Sequence, residues 1–379
     1  MKQQYDYIIA GAGCAGLSLL VRVLLSGKFN DKKFLLIDKE PKQTNDRTWC
    51  FWEQGDGFFE NIVFRKWKKI WFHGKDYSAA LDILPYRYKM IRGIDFYEHC
   101  LSVVQKFSNV DIEWAEINEI GGDAESAWLI SGSDKVHAQY IFNSILFEKP
   151  VMGKGEYYLL QHFKGWVIET IDDHFNPGEA VLMDFRVSQQ HGATFVYTMP
   201  LSKRSALVEY TLFNEKLLQP EAYEKGLRNY IEQYLQIQHY SVTEEEFGII
   251  PMTNHAFKKS EGKIINIGTA GGYTKASSGY TFNFIQKASA LMVDSWIKNN
   301  VPSPVDTATK KFRFYDSVFL TVLAEENLGG AEIFTQLFKK NDVRMIFKFL
   351  DNESTLKQDI GILASLPTWP FLKSAFRQW

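Results

Sequence analysis

The chain has 379 residues, 45% of them apolar, which is enough for a large core and too many for one average domain, so two interwoven domains are expected. Forty-three basic residues against 45 acidic ones, with no long basic run, give no sign of a nucleic-acid partner. Three scattered cysteines, Cys14, Cys50 and Cys100, exclude a disulfide framework and a zinc site, and a reducing cytosol fits them. The N-terminal "MKQQYD" leads straight into a core strand with no cleavable apolar segment. No stretch reaches the roughly 18 apolar residues expected of a spanning helix, so membrane association is expected to be peripheral. Aromatic residues at 15% suit a bulky apolar ligand, an interfacial anchor or simply a core.

The chain opens on a strand from Tyr7 to Ala10, a turn with Gly11, Gly13 and Gly16, and an amphipathic helix from Leu17 to about Leu25. GxGxxG in that context is a dinucleotide fingerprint. Gly11 makes the tight turn, Gly13 lets a pyrophosphate approach the backbone, and Gly16 brings helix and strand together. The phosphates would rest on the helix N-terminus, where free amides and the dipole favour anions. A second strand, "FLLID", ends at Asp38, twenty-two residues beyond Gly16, close to the spacing of a ribose-binding carboxylate. This motif alone does not choose between FAD and NAD.

Segment 61–77, "NIVFRKWKKIWFHGKDY", reads as an irregularly alternating strand or hairpin. Its Trp67 and Trp71 beside basic residues suit either a solvated sheet edge or a bilayer surface. "ALVEYT", 206–211, reads as a buried strand carrying Glu209, and burial of an unpaired carboxylate is costly. The structural explanation pairs Glu209 with Arg186, Lys203 or Arg204. The chemical one keeps it as a neutral acid whose pKa burial has raised.

Late in the chain, "IINIGTAGGYTKASSGYTFNFIQKASALM" gives a strand from Ile264 to Ile267, a glycine-rich turn from Gly268 to Gly279 and a helix from about Thr281. From about 305 the pattern is helical. "AEIFTQLFKKNDVRMIFKFL", 331–350, places Ile333, Phe334, Leu337, Phe338, Val343, Ile346, Phe347 and Leu350 at helical spacing among basic residues, as either a core-packed or an interfacial helix. The fold expected is α/β: a discontinuous nucleotide-binding domain from 1–60, 85–150 and 245–300, an inserted β-sheet substrate domain from 61–84 and 151–244, and a C-terminal helical region, 301–379, with possible membrane contact.

The late strand-turn-helix resembles the one that flavin-dependent hydroxylases place against the ribityl chain and pyrimidine edge of FAD. This implies a Rossmann-type FAD domain of the flavin-hydroxylase, glutathione-reductase-like class, contacted by Gly268, Thr269 and Gly279. Two residues depart from that pattern: Thr269 stands where relatives carry Asp, and Ala276 where they carry Pro. Taken together, "DYIIAGAGCAGLSL", "NDRTWCFWE" (45–53), "LLQHFKGWVIET" (159–170), "VLMDFR" (181–186), "FVYTMPLS" (195–202), "LVEYT" (207–211), "GIIPM" (248–252) and "GTAGGYTKASSGYTF" (268–282) resemble the lycopene β-cyclases of the bacterial flavoprotein type, especially Bacteroidetes forms.

The resemblance implies an intramolecular lyase that closes the acyclic ends of lycopene to β-ionone rings, by way of γ-carotene to β-carotene. The reaction is redox-neutral yet requires reduced FAD, with NAD(P)H as the expected electron source. It implies a protein peripheral to the cytoplasmic side of the inner membrane, with no metal and no nucleic acid. "LVEYT" matches a plant "FLEET" segment, which puts the acid at Glu209 and leaves Tyr210 where a second Glu would stand. Further site candidates are Asp184 and Arg186, which would orient the acid or line the pocket. Arg47 and Trp49 are candidates toward the cofactor or substrate, and Arg92 resembles the arginine that touches flavin in related folds. Gln161, His162 and Trp166 are weaker ones. A redox flavoprotein, such as an isoprenoid reductase or hydroxylase, and a non-catalytic carotenoid carrier are the alternatives.

Overall fold

A computed structural model describes residues 4–325 and 328–379. Met1 to Gln3, part of the N-terminal stretch read above, lie outside the described residues. The first sheet is built on parallel strands β1 (Gln4–Ala10), β2 (Phe34–Asp38), β8 (Val110–Trp114), β11 (Asp134–Asn143) and β18 (Ile264–Asn266), with β17 (Ser260–Glu261) at one edge. The order is β17-β18-β11-β1-β2-β8, and β9 (Glu119–Gly122) and β10 (Ala127–Ser131) extend it antiparallel from β11. All five residues of β2 are buried, as an interior parallel strand covered on both faces requires. One face packs Ile9 and Leu36 against helices α1 (Cys14–Leu25), α2 (Gly93–Val104) and α4 (Phe282–Asn299). The other packs Ile8, Leu35 and Ile37 with residues of β10 and β11.

The second sheet has seven strands in the order β16-β12-β15-β14-β13-β5-β6. These are β5 (Lys69–His73), β6 (Ser78–Asp82), β12 (Tyr158–Thr170), β13 (Glu179–Asp184), β14 (Ala193–Pro200), β15 (Ser205–Asn214) and β16 (Tyr240–Thr253). Because β16 runs on to Thr253, the stretch 245–253, expected with the nucleotide-binding part, belongs to this sheet instead. Helix α3 (Pro220–Gln233) covers one face with Tyr223, Leu227, Tyr230 and Ile231, a helical stripe against Val208, Tyr210 and Leu212. The other face meets a small third sheet of β3 (Thr48–Gln54), β7 (Tyr86–Arg92) and β4 (Arg65–Trp67), together with C-terminal helices.

Those helices are α5 (Lys310–Glu325), α6 (Gly330–Lys340), α7 (Val343–Leu350), α8 (Leu356–Ser365) and α9 (Thr368–Gln378). The eight apolar residues noted between 333 and 350 are all buried, stacking Phe338 on Phe72 and Phe347 on Trp52. This segment is therefore core and not an interfacial helix. Trp67 is likewise buried and does not rest on a bilayer, and the half-buried Trp71 donates its indole N–H to Glu179 at 2.6 Å. Among the described residues no helix is long and apolar enough to cross a membrane.

Candidate functional site

The carboxyl-terminal ends of β1, β2, β11 and β18 form one edge of the first sheet, the edge where open α/β sheets bind ligands. Gly11 sits there at φ +101°, and a side chain on it would run into Ser144. A side chain on Gly16 would strike the carbonyl of Gly11, so helix and strand close only over glycine. Gly13, the N-cap of α1, faces open space, with no side-chain cap and no acid in the first turn. The amides of that turn are left for an anion. Asp38 closes the turn from β2, accepting the amide of Ala12 at 2.7 Å and the ammonium of Lys42 at 3.0 Å.

The second glycine-rich turn, after β18, leans on the first. Gly268 adopts φ +57° with Ala15 of α1 so close that a Cβ would lie 2.8 Å from it. Gly279, at φ +71°, is pressed against the amide oxygen of Gln161. Between them the buried Lys275 reaches out of the loop to Asp316 of α5 at 2.7 Å and to Asn352 at 2.8 Å, so the C-terminal helices set the shape of this turn. The loop ends at Thr281, the N-cap of α4, which again lacks a side-chain cap on the helix amides and an acid in its first turn.

Between this turn and the second sheet lies a cavity of about 1200 Å³, its open mouth included. Its lining includes Arg47, Trp49, Cys50, Tyr88, Gln161, Tyr197, Glu209, Ile250, Thr269 and Tyr280. Glu209 is 7% exposed and takes a hydrogen bond from the Thr211 hydroxyl at 2.7 Å. None of the cations proposed for it is its partner: Arg186 pairs with Asp184, and Lys203 and Arg204 pair with Asp173. The strand register continues the row across the sheet, with Tyr197, Glu209, Gly165 and Glu246 side by side on β14, β15, β12 and β16. Gly165 contributes no side chain; Glu246 leans over it, and the Glu209 and Glu246 carboxyls on its two sides interact electrostatically. Burial first, then the neighbouring Glu246, pushes the Glu209 carboxyl well above the usual carboxylate range, and burial raises Glu246 as well. A carboxyl whose protonated form is favoured by burial, sheltered among aromatic rings, is the chemical asset of this cavity.

Residues 6–376 match the family model described as "Lycopene cyclase protein". The chain belongs to the lycopene cyclase family. Over 269 residues it is 27% identical to the lycopene beta-cyclase of Pantoea ananas, covering 67% of this chain and 64% of that protein. It is 25% identical over 306 residues to a chloroplastic neoxanthin synthase of Solanum tuberosum, covering 74% and 58%. The chain thus spans less than two thirds of the length of either relative. Solved structures give the fold: a geranylgeranyl bacteriochlorophyll reductase-like protein from Thermoplasma acidophilum (TM-score 0.59, 12% identity, 98% and 96% of the two chains) and the flavin-dependent brominase Bmp2 (0.60, 12%, 95% and 97%). A variant of the halogenase PltM in complex with FAD has TM-score 0.56 at 11% identity, covering 91% and 79%. The expected fold class, a flavin-hydroxylase-type α/β domain with a β-sheet domain and a helical C-terminal region, is the one found.

In this lycopene cyclase family member the structure brings only part of the expected site together. Thr269, Gly279, Arg47, Trp49 and Gln161 line the cavity with Glu209, and Arg47 stands at its mouth with its guanidinium on Asp46 at 2.7 Å. Asp184 and Arg186 do not. They form an ion pair at 2.6 Å, capped by the Tyr230 hydroxyl at 2.9 Å, beneath α3 on the opposite sheet face. Arg92 is bound by Asp95 beside Phe64 in a separate open groove. His162 faces α3 too, hydrogen-bonded to Tyr223 at 2.6 Å and pushed down to about 4 by burial, and Trp166 packs in the same cluster. Tyr210, in the place of the second plant glutamate, points away from the cavity onto Gly226 of α3.

The residue that sequence reasoning missed is Glu246. Alternation carried backward from Ile250 and Gly248 would have put it on the cavity side, but in "EEEFG" a run of three glutamates reads as a solvated stretch. Tyr197 and Tyr280, hydroxyls 3.5 Å apart at the cavity wall, were also unmarked.

Proposed function

We propose that this protein is a lycopene β-cyclase: it binds lycopene and γ-carotene at their acyclic ends and closes each to a β-ionone ring. The observation that carries this is Glu209, a buried acid without a cationic partner on the wall of an aromatic-lined cavity beside the late glycine-rich turn. We propose FAD as the cofactor. The residues fit it, with a pyrophosphate on the uncapped N-terminus of α1 at Gly13, a ribose near Asp38, and the flavin ring along Thr269, Gly279 and the N-terminus of α4. When bound in its reduced form, with NAD(P)H as the proposed source of electrons, FAD supplies an electron-rich ring facing a developing cation.

Glu209 gives its proton to the terminal double bond, forming a C–H bond and a tertiary cation. The neighbouring double bond closes on that cation as a new C–C bond, and a ring proton then passes to a base at the cavity, so the hydrocarbon is neutral again and no proton is consumed overall. Substrate and product are isomers and no electrons are consumed. The walls formed by Trp49, Tyr88, Tyr197, Tyr280 and Phe282 keep water from trapping the cation and present π faces to it.

Substrate of this kind is dissolved in lipid, and we place the membrane contact on α8 and α9. Leu356 and Ile360 share one face of α8, while Trp369 (75% exposed), Leu372, Phe376 (81%) and Trp379 (99%) form the outer face of α9. Leu372, with Ile362, Leu363 and Phe371, also lines an apolar cavity of about 980 Å³ among the C-terminal helices. Tryptophans exposed beside Lys357 and Lys373 suit the interface of an anionic bilayer.

Expression in cells that accumulate lycopene, with pigments separated by chromatography, tests the reading: β-carotene or γ-carotene is expected. Purified enzyme with pre-reduced FAD should complete many turnovers without consuming reductant. A redox flavoprotein would stop after one, and a carrier would leave the pigment unchanged.

A further inference from the structure

Resting on the cyclase reading, we propose that Glu246 is the positioning residue for the acid: it shares a single proton with Glu209 across Gly165 and so keeps Glu209 protonated between turnovers.

Three observations support the pairing. The register places Glu209 and Glu246 as the two flanking partners of Gly165, and a Cβ at residue 165 would lie 2.9 Å from Glu246 Cγ and 3.1 Å from its Oε1. The absent side chain is the space that the Glu246 side chain fills on its way toward Glu209, beside Leu207. The outer oxygens are already assigned: Thr211 donates to Glu209 Oε1 at 2.7 Å, and Thr48 donates to Glu246 Oε2 at 2.9 Å. Glu246 Oε1, fully buried in a residue 8% exposed, then has no donor except a proton carried by Glu209.

Among the described residues no cation is paired with either carboxyl to hold two negative charges. Cys50 of β3, Tyr88 of β7, Tyr197 of β14 and Tyr280 of the glycine-rich turn face Glu209, while Asp46 and Glu244 add negative charge near Glu246. Arg47 is at the mouth and engaged by Asp46. Two facing carboxyls in such a place cannot both ionise, so one proton stays in the pair over a wide pH range. With Thr211 on Glu209 and Thr48 on Glu246, the buried Glu246 Oε1 is the acceptor that the geometry leaves for the Glu209 proton. The second carboxyl, missing from the "LVEYT" segment, is thus supplied by another strand.

The test follows the infrared carbonyl band of protonated carboxyl groups across pH in wild type, Glu209→Gln and Glu246→Gln. The band that Glu209→Gln abolishes should titrate in Glu246→Gln at a pH lower by about one unit or more, a tenfold loss of proton affinity. The alkaline limb of kcat/KM should move with it. Titration at an unchanged pH would overturn the proposal, because a residue that merely supports the fold would lower the rate without moving the limb. If Glu246→Gln does not fold, Gly165→Ala, which drives the carboxyls apart, supplies the same readout. A shifted band in a protein that makes no cyclic carotenoid would uphold the pair and defeat the cyclase reading. Cyclisation with an unshifted band would do the reverse.

Discussion

Glu209 and Tyr210 are adjacent in the chain and face opposite sides of β15, the acid toward the cavity and the phenol toward Gly226 of α3. Their roles separate accordingly. Glu209→Gln is expected to fold and to bind flavin, since Gln fills the same volume, but to lose at least about a hundredfold in cyclisation, the lower end of what general acids contribute. Wild-type-like turnover would remove Glu209 as the acid.

Tyr210→Phe, in contrast, should leave turnover per folded molecule unchanged. The tight spot is its neighbour: a Cβ on Gly226 would lie 2.7 Å from the Tyr210 ring. Gly226→Ala is expected to cost about 1–3 kcal/mol by overpacking, read as a lower denaturation midpoint.

Lys275 and Asp316 are both buried, so truncating one leaves an uncompensated charge. Lys275→Met should destabilise by about 3–5 kcal/mol. Because the lysine shapes the loop between Gly268 and Gly279, flavin affinity measured by fluorescence quenching should fall with stability. Asp184→Asn, beneath α3, should lower stability and leave flavin affinity intact.

Asp351, which accepts the Trp52 indole N–H at 2.6 Å, is raised by burial to about 7. Its folded pKa exceeds the unfolded value of about 4, so the folded state binds the proton more tightly. Stability therefore falls as pH rises from about 4 to about 7, and more of it is lost as the Glu246 carboxyl ionises. Tm should drop between pH 5 and pH 8 in the wild type and drop less in Asp351→Asn. His162 acts oppositely: its depressed pKa costs stability as pH falls from about 6.5 toward about 4, which offsets part of the carboxyl contribution in that range.

The outer face of α9 offers the membrane test. Replacing Trp369, Phe376 and Trp379 together by Ser should abolish co-flotation with anionic vesicles while leaving the melting transition in place, because these side chains pack little against the protein. Unchanged flotation would move the contact elsewhere.

Local pattern was sufficient for the first strand-turn-helix and for the burial of Glu209 in its strand. Gly16 is dictated by Gly11 and Ile9 of the same strand-turn-helix, and the glycine spacing and the apolar run of β2 are legible in one dimension. The amphipathic run from 333 to 350 was legible as a helix but not as core, since apolar spacing does not say whether lipid or protein covers it. Which face of a strand meets the cavity was decided only by packing. Asp184 and Arg186 share a segment with the family pattern yet lie under α3, while Glu246 reaches Glu209 because β16 pairs with β12 in a register that puts both acids beside Gly165. A carboxyl pair made by strands 37 positions apart leaves no trace in local composition, because its energy comes from burial and proximity that the chain acquires only when the sheet closes.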